Sequence, residues 1–258
     1  MRSFFTTTAT EAVQKMQDME QVLLARREAK VKTGDRYAIV STSDVLKRVL
    51  IAAESRGYTI DHVTARVKGQ AGTRHFVKVR FANRPGSSTE GQREFVLFNS
   101  FNGEQSLQMH LGFFRFICSN GLVVPAEGMD TVNIRTRQRH IAGPMMADFT
   151  KRLDYRIAAV FDAMERIDSR FAELASKPVE KTVELRILDG LGLGKSQRRA
   201  IDSIRSGSLG RDHEGNLFAL YNAINEGLRT TRRSEFRDVE RNTNLLTTIE
   251  ELYNEVAA

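Results

Sequence analysis

An α+β fold follows from one change of hydrophobic period along this 258-residue chain. Between about residues 58 and 110, apolar side chains alternate with polar ones, the period of two that marks strands. From Met145 onward they recur every three or four residues, the period of helices. Four prolines, Pro85, Pro125, Pro144 and Pro178, all fall between periodic segments and so separate elements rather than break them. The expected architecture is an antiparallel or mixed sheet in a helix-strand-strand-strand-helix core, followed by a long heptad-like helix and a C-terminal helical region. Three parts are expected: an N-terminal helical extension over 1–35, a basic α+β core domain over 36–144, and a helical region packed on that core over 145–258.

In chain order, residues 7–30 set Val13, Met16, Leu23 and Leu24 among charges, a helix with a narrow apolar stripe. The run Ser41-Thr42-Ser43-Asp44 offers four N-cap formers ahead of a second helix. There Val45, Val49 and Ala52 with Leu46, Leu50 and Ala53 make one apolar face, and Gly57 stops it. Strands over 58–68 and 73–82 then form a hairpin around the Gly69–Gly72 turn. A polar loop at 85–92 leads to a third strand ending in a turn at Asn102-Gly103. The apolar stretch 106–125 starts as a strand. From Leu111 to Ile117 its period fits strand and buried helix alike. Residues 133–141 alternate like a strand, with Arg135, Arg137 and Arg139 on one side. The long helix follows, with Met146, Phe149, Leu153, Ile157, Val160, Met164, Ile167, Phe171 and Leu174 along a near-heptad seam. At 1.5 Å per residue it is about 45 Å long, and it ends at Lys177-Pro178. Helical stretches near 179–205, 216–229 and 234–255 complete the chain.

Composition narrows the function. No apolar run approaches the roughly 20 residues of a membrane-spanning helix. The first residues lack an apolar core ahead of a small-residue cleavage site, so no secretory signal is expected. One cysteine, Cys118, excludes an intramolecular disulfide framework and a cysteine-rich zinc cluster, which fits a reducing cytoplasm. With 39 Lys+Arg against 32 Asp+Glu, a net charge of +7 makes nucleic acid the first partner to test.

Several enzyme-like features dissolve on inspection. GLGLGKS at 190–196 ends like a phosphate-binding loop, but Asp189 stands where that loop needs its first glycine. It reads as a helix stop and restart. Cys118 lies among Phe113, Phe114, Phe116 and Ile117, a setting for core packing rather than for a nucleophile. His62, His75, His110, His140 and His213 have no metal-ligand spacing, and Asp189 and Asp212 read as loop acids with no visible partner, so a carboxylate pair of the glycosidase or nuclease kind is not supported. No cofactor, metal or catalytic residue is expected.

The basic signal is more specific. Residues 61–84 carry Arg66, Lys68, Arg74, Lys78, Arg80 and Arg84 against one acid, Asp61. Strand parity sets Arg66 with Lys68, and Lys78 with Arg80 and Phe76, with His75 adjacent. Cations that follow phosphates beside an aromatic ring that stacks on a base are how single strands are held. Arg135, Arg137 and Arg139 supply a second row. The alternative is a solvated sheet face with snorkelling side chains. The seam at 146–174 likewise serves either as a cover for the sheet or as an interface between copies of the chain.

Four stretches carry a resemblance: Ser100-Phe101-Asn102-Gly103, Arg115 to Gly121 (RFICSNG), Arg139-His140, and Tyr221 to Glu226 (YNAINE). Together they resemble the domain-of-unknown-function family 932 of phage- and plasmid-borne proteins, over about residues 36–250. The resemblance implies a phage or plasmid setting in a bacterial cytoplasm. A topological likeness to single-strand annealing proteins of the Rad-fifty-two type implies rings that hold single-stranded DNA in a basic groove. That likeness requires a helix at 111–123. The expected function is therefore non-enzymatic binding of single-stranded DNA or RNA, in annealing and recombination, by a homo-oligomer such as a ring. The rival is a structural or host-interaction protein that assembles through its long helix.

Overall fold

A computed structural model describes residues 2–30, 39–68, 73–82, 91–102, 107–115, 121–124, 145–206, 215–229 and 235–257. The elements are β1 (Arg2–Thr7), α1 (Ala9–Lys30), α2 (Thr42–Ser55), β2 (Ile60–Lys68), β3 (Arg74–Phe81), β4 (Gly91–Ser100), β5 (Gln108–Arg115), β6 (Gly121–Val124), α3 (Met145–Ser176), α4 (Lys181–Gly190), α5 (Lys195–Ser206), α6 (Leu217–Arg229) and α7 (Glu235–Ala257). The α+β class and the C-terminal helical region are as the sequence predicts.

The chain divides into two compact units. The first comprises Met1–Gly86, Gln92–Gly112 and Ala126–Met164; the second comprises Ser87–Gly91, Phe113–Pro125 and Glu165–Ala258. The boundary falls inside α3, not at residue 144, because each half of that helix packs with its own neighbours. Nor are residues 1–35 an extension. β1 pairs antiparallel with β2, and α1 buries Ala12, Met16, Met19 and Leu23, spaced one helical turn apart. That stripe includes Ala12 and Met19 and leaves Val13 and Leu24 half-buried.

In the first unit, β1 to β5 stand in chain order, and β1–β2, β2–β3 and β3–β4 are antiparallel. The odd-numbered residues Val63, Ala65, Val77, Val79, Phe81, Phe95 and Leu97 are all buried on one face. Around Phe161 of α3 gather Tyr58, Phe81 and Phe95, with ring centroids 5.3, 5.7 and 5.8 Å away. Arg48 and Arg56 of α2 bond Asp154 and Asp162 of α3 at 2.8 and 2.7 Å. The two pairs are eight residues apart on each helix, so α2 and α3 run parallel there. Ser41 caps α2 by accepting from the Asp44 N–H, and Gly57 ends it at φ 71°.

The strands expected before Asn102-Gly103 and at the start of 106–125 are present as β4 and β5. Two further expectations change. The stretch 111–123 is strand where it is described, in β5 and β6, as its aromatic and β-branched residues favour. The described residues of that stretch do not form the helix that the annealing-protein order requires. The seam of α3 is not an open strip. Leu153, Ile157, Val160, Met164, Phe171 and Leu174 are already buried in the single chain. The side chains of Met146, Phe149 and Ile167 lie outside the described residues. No described helix is long and apolar enough to cross a membrane.

Among its described residues the second unit is mostly helical, with the end of β5 and β6 as its strand segments. Its α5 and α6 approach so closely that a Cβ on Gly227 would lie 2.5 Å from Ile201 Cγ1 and 3.2 Å from its backbone nitrogen. The stretch 179–205 is two helices, parted at GLGLGKS. There Gly192 takes φ 61°, and the Gly194 N–H donates to Gln197 Oε1 at 2.9 Å. Arg198 closes the turn, bonding Asp189 at 2.6 Å and the carbonyls of Leu188 and Leu193 at 3.2 Å. The string is a stop and restart between helices, and the Asp189 charge has an arginine partner.

Candidate nucleic-acid interface

The even-numbered positions of β2, β3 and β4 share the sheet face opposite the Phe161 cluster. The register sets Arg66 beside Phe76, Thr64 beside Lys78, and His62 beside Arg80. Across β3 and β4, Phe76 meets Phe98, Lys78 meets Val96, and Arg80 meets Glu94. Arg66, Arg74, Lys78 and Arg80 thus lie on one face, each half-buried. Lys68 is in register with Arg74 on the same strand pair.

Glu94 is the acid that strand parity places on this face, among the described residues of β2 to β4. Its side chain is 2 % exposed. Arg80 grips Glu94 Oε1 through Nε and Nη2 at 2.9 and 2.6 Å, while Lys78 Nζ stands 4.0 Å off. A carboxylate so buried needs such partners, since an uncompensated buried charge is costly. Arg80 is therefore largely committed to the fold. Lys78 is held loosely, and its ammonium also lies 5.7 Å from the Phe76 centroid. Sequence parity carried the signal for Glu94, which shares its side with Val96 and Phe98.

Two expected contacts are corrected. Phe76 is on the basic face but is 1 % exposed, its ring 5.6 Å from Phe98, so it offers no surface for a base. His75 points to the other face and has no exposed surface. Its Nδ1 lies 3.1 Å from the Thr73 carbonyl and its Nε2 2.7 Å from Thr42 Oγ1. The carbonyl can only accept, so Nδ1 carries the proton and Nε2 accepts from the threonine hydroxyl. Burial holds this imidazole down to about 4. Arg84, Arg135, Arg137 and Arg139, like Cys118, His140, Asp212 and His213, lie outside the described residues.

His75 belongs to a buried polar network that sequence reading did not find. Asn99 donates to the Val40 carbonyl and to Thr42 Oγ1, both at 2.9 Å. Its own oxygen accepts from the Ser100 N–H at 2.8 Å. The Glu20 carboxylate of α1 sits at the N-terminus of α2. It accepts from the Thr42 N–H, from the Ser43 N–H at 3.1 Å, and from the hydroxyls of Ser43 and Ser41 at 2.5 and 3.1 Å. A carboxylate there satisfies amides the helix cannot pair and complements its dipole. The network ties α1, α2, β3 and β4 to one another. Among the described residues no group of His, Cys, Asp or Glu could hold a metal.

The resembling motifs map onto these features. Ser100 and Phe101 follow Asn99 directly, and the Phe101 ring lies 4.8 Å from that of His75. In α6, Tyr221, Asn222 and Asn225 are all buried, and neither end of the Asn222 carboxamide has a hydrogen-bond partner among the described residues.

Comparison with known proteins agrees with those motifs. Two proteins of Escherichia coli (strain K12) are similar to this chain. UPF0380 protein YafZ is 27 % identical over 161 residues, covering 60 % of this chain and 54 % of that protein. UPF0380 protein YfjQ is 28 % identical over 162 residues, with the same shares. The chain thus spans about half the length of these curated relatives. No solved structure matches it. The model of the family described as Domain of unknown function (DUF932) matches residues 31–249, so the chain belongs to that family.

Proposed function

We propose that this protein binds single-stranded nucleic acid, DNA or RNA, through the basic face of β2 and β3. In this reading it acts without catalysis as an annealing or recombination protein, assembled as a homo-oligomer, in the bacterial cytoplasm of a phage or plasmid host. The observation that carries the reading is the convergence of Arg66, Arg74, Lys78 and Arg80 on one sheet face, where strand parity supplies Glu94 as the opposing acid. A cluster of cations on one face is the footprint of a polyanion site. Because the described seam of α3 is core, assembly in this reading uses another surface.

The test is fluorescence anisotropy with labelled single-stranded oligonucleotides across salt concentrations. Arg66→Gln with Lys78→Gln should weaken binding and lower the slope of log K against log salt by about 1.4, or roughly 0.7 per lost phosphate contact. A slope unchanged in a folded variant assigns the face to ordinary solvated surface. Absence of binding by the wild type at low salt ends the reading. Light scattering should give a mass several times 29.1 kDa.

A further inference from the structure

The helix α6 is apolar along most of its length, and two asparagines interrupt it. At about 100° per residue, Phe218, Asn222 and Asn225 fall within an arc of roughly 60°, a single stripe along the helix. Leu220, Ile224 and Gly227 lie on the opposite side, where Gly227 meets Ile201 of α5. The stripe therefore faces away from α5. At its start the Phe218 ring packs against that of Phe171 in α3, with centroids 4.9 Å apart. Phe218 is half-buried, so the stripe touches solvent at that end. Asn222 and Asn225 lie further in, each 1 % exposed.

Three observations make this stripe more than core. First, Asn222 Nδ2, Asn222 Oδ1 and Asn225 Nδ2 have no hydrogen-bond partner among the described residues. Both ends of the Asn222 carboxamide are open, so exchanging its oxygen and nitrogen changes nothing. Buried polar groups left unpaired cost stability that a leucine would not, and a binding site carries such a cost before its ligand arrives. Second, the unmet groups are two donors and one acceptor. A metal ion would answer Oδ1 alone, and an anion would answer the Nδ2 groups alone. The set fits an uncharged group that carries a donor beside acceptors. Third, Phe218 supplies a flat apolar wall one helical turn before Asn222 on the same stripe.

We infer that this stripe of α6 binds a nucleobase, with its edge on the Asn222 and Asn225 carboxamides and its plane against Phe218. An asparagine carboxamide matches the donor–acceptor edge of a base bidentately, as it does with adenine. A base also hangs from its sugar by one bond, so it enters an enclosed site. A peptide carries the same edge but continues at both ends, and such a site cannot thread it. The base belongs to a single strand or to a free nucleoside. The first source rests on the reading of the chain as a single-strand binder, and the second does not. Cations on phosphates hold every sequence alike, whereas a base site adds a preference among bases.

The experiment uses the full chain, isotope-labelled for magnetic resonance, with circular dichroism to confirm folding. The probes are adenosine, cytidine, guanosine and thymidine, and labelled oligodeoxyadenylate, oligodeoxycytidylate and oligothymidylate. At least one nucleoside should bind saturably and shift the side-chain amide signals of Asn222 and Asn225 in the wild type. Asn222→Leu should keep the fold and abolish that binding. It should weaken the preferred oligonucleotide roughly 5- to 150-fold, the span of one bidentate contact, with the salt slope unchanged. Asn225→Leu should act in the same direction. Amide signals that stay in place with every nucleoside and oligonucleotide overturn the inference, whatever the variants do. Wild-type affinity in both folded variants overturns it too and leaves the sheet reading standing. A salt slope that falls in Asn222→Leu overturns the base contact in favour of a phosphate. If Asn222→Leu loses the nucleoside but not the oligonucleotide, the site holds and its ligand is a free nucleoside. If the wild type binds a nucleoside but no single strand, the proposed function falls and this inference holds.

Discussion

Acid should destabilise this protein through His75, by an amount the structure allows one to work out. Its imidazole is fully buried, and burial lowers it from the ordinary 6.5 to about 4. Between those values the unfolded chain carries a proton that the folded chain refuses. The unfolded state then binds more protons, so stability is complete above pH 6.5 and is lost as pH falls toward 4. At pH 4.5 the loss from this one residue is on the order of 2–3 kcal/mol. The geometry explains the refusal. Nε2 accepts from the Thr42 hydroxyl, whose oxygen already receives a bond from Asn99. A proton on Nε2 would force that hydroxyl to turn away and find another acceptor within the buried interior. The assay is urea unfolding at pH 7.5 and 4.5 for the wild type and for His75→Gln, whose amide oxygen can still accept from Thr42 but does not titrate. His110, which burial also lowers to about 4, titrates in both proteins, and so do the carboxylates. Their contributions cancel in the double difference, leaving the His75 contribution, on the order of 2–3 kcal/mol. Identical pH dependence in the two proteins would refute the reasoning.

Three other outcomes follow from the same packing. Glu20→Ala leaves the Thr42 and Ser43 N–H groups without their acceptor and should cost about 3–4 kcal/mol in urea unfolding, against about 1 kcal/mol for Glu20→Gln, which keeps an acceptor oxygen; equal costs would remove the capping role. Glu94→Gln releases Arg80 and Lys78 from a buried carboxylate. It should lower stability by about 1–3 kcal/mol and, on the proposed function, tighten oligonucleotide binding, so weaker binding in a folded variant would count against the sheet face. Asn222→Leu removes a buried carboxamide without partners and should raise stability by about 1–2 kcal/mol; a loss of similar size would show that the amide is hydrogen-bonded in solution.

Element type was legible because it depends on neighbours in the chain. The switch from a period of two to a helical one places β2, β3, α2, α3 and α6 within a few residues of where they lie. Strand parity likewise joins Arg66, Lys78 and Arg80 on one face, since alternation is a property of the extended backbone itself. What parity leaves open is whether a face meets water or another layer. Phe76 and His75 sit side by side in sequence and are both buried, on opposite faces of the sheet. Charge counted along 61–84 cannot register Glu94, which arrives from another strand and ties down Arg80. Nor can it register Glu20, which reaches the N-terminus of α2 from a helix more than twenty residues earlier. The long helix makes the same point. Its apolar seam predicts a buried side, but a seam reads alike whether its cover is the same chain or a second copy, and only the burial of Leu153, Ile157, Val160 and Met164 within the single chain shows the cover to be its own. Local pattern specifies which way side chains face. Burial and charge pairing depend on groups far apart in sequence, brought together when the layers pack.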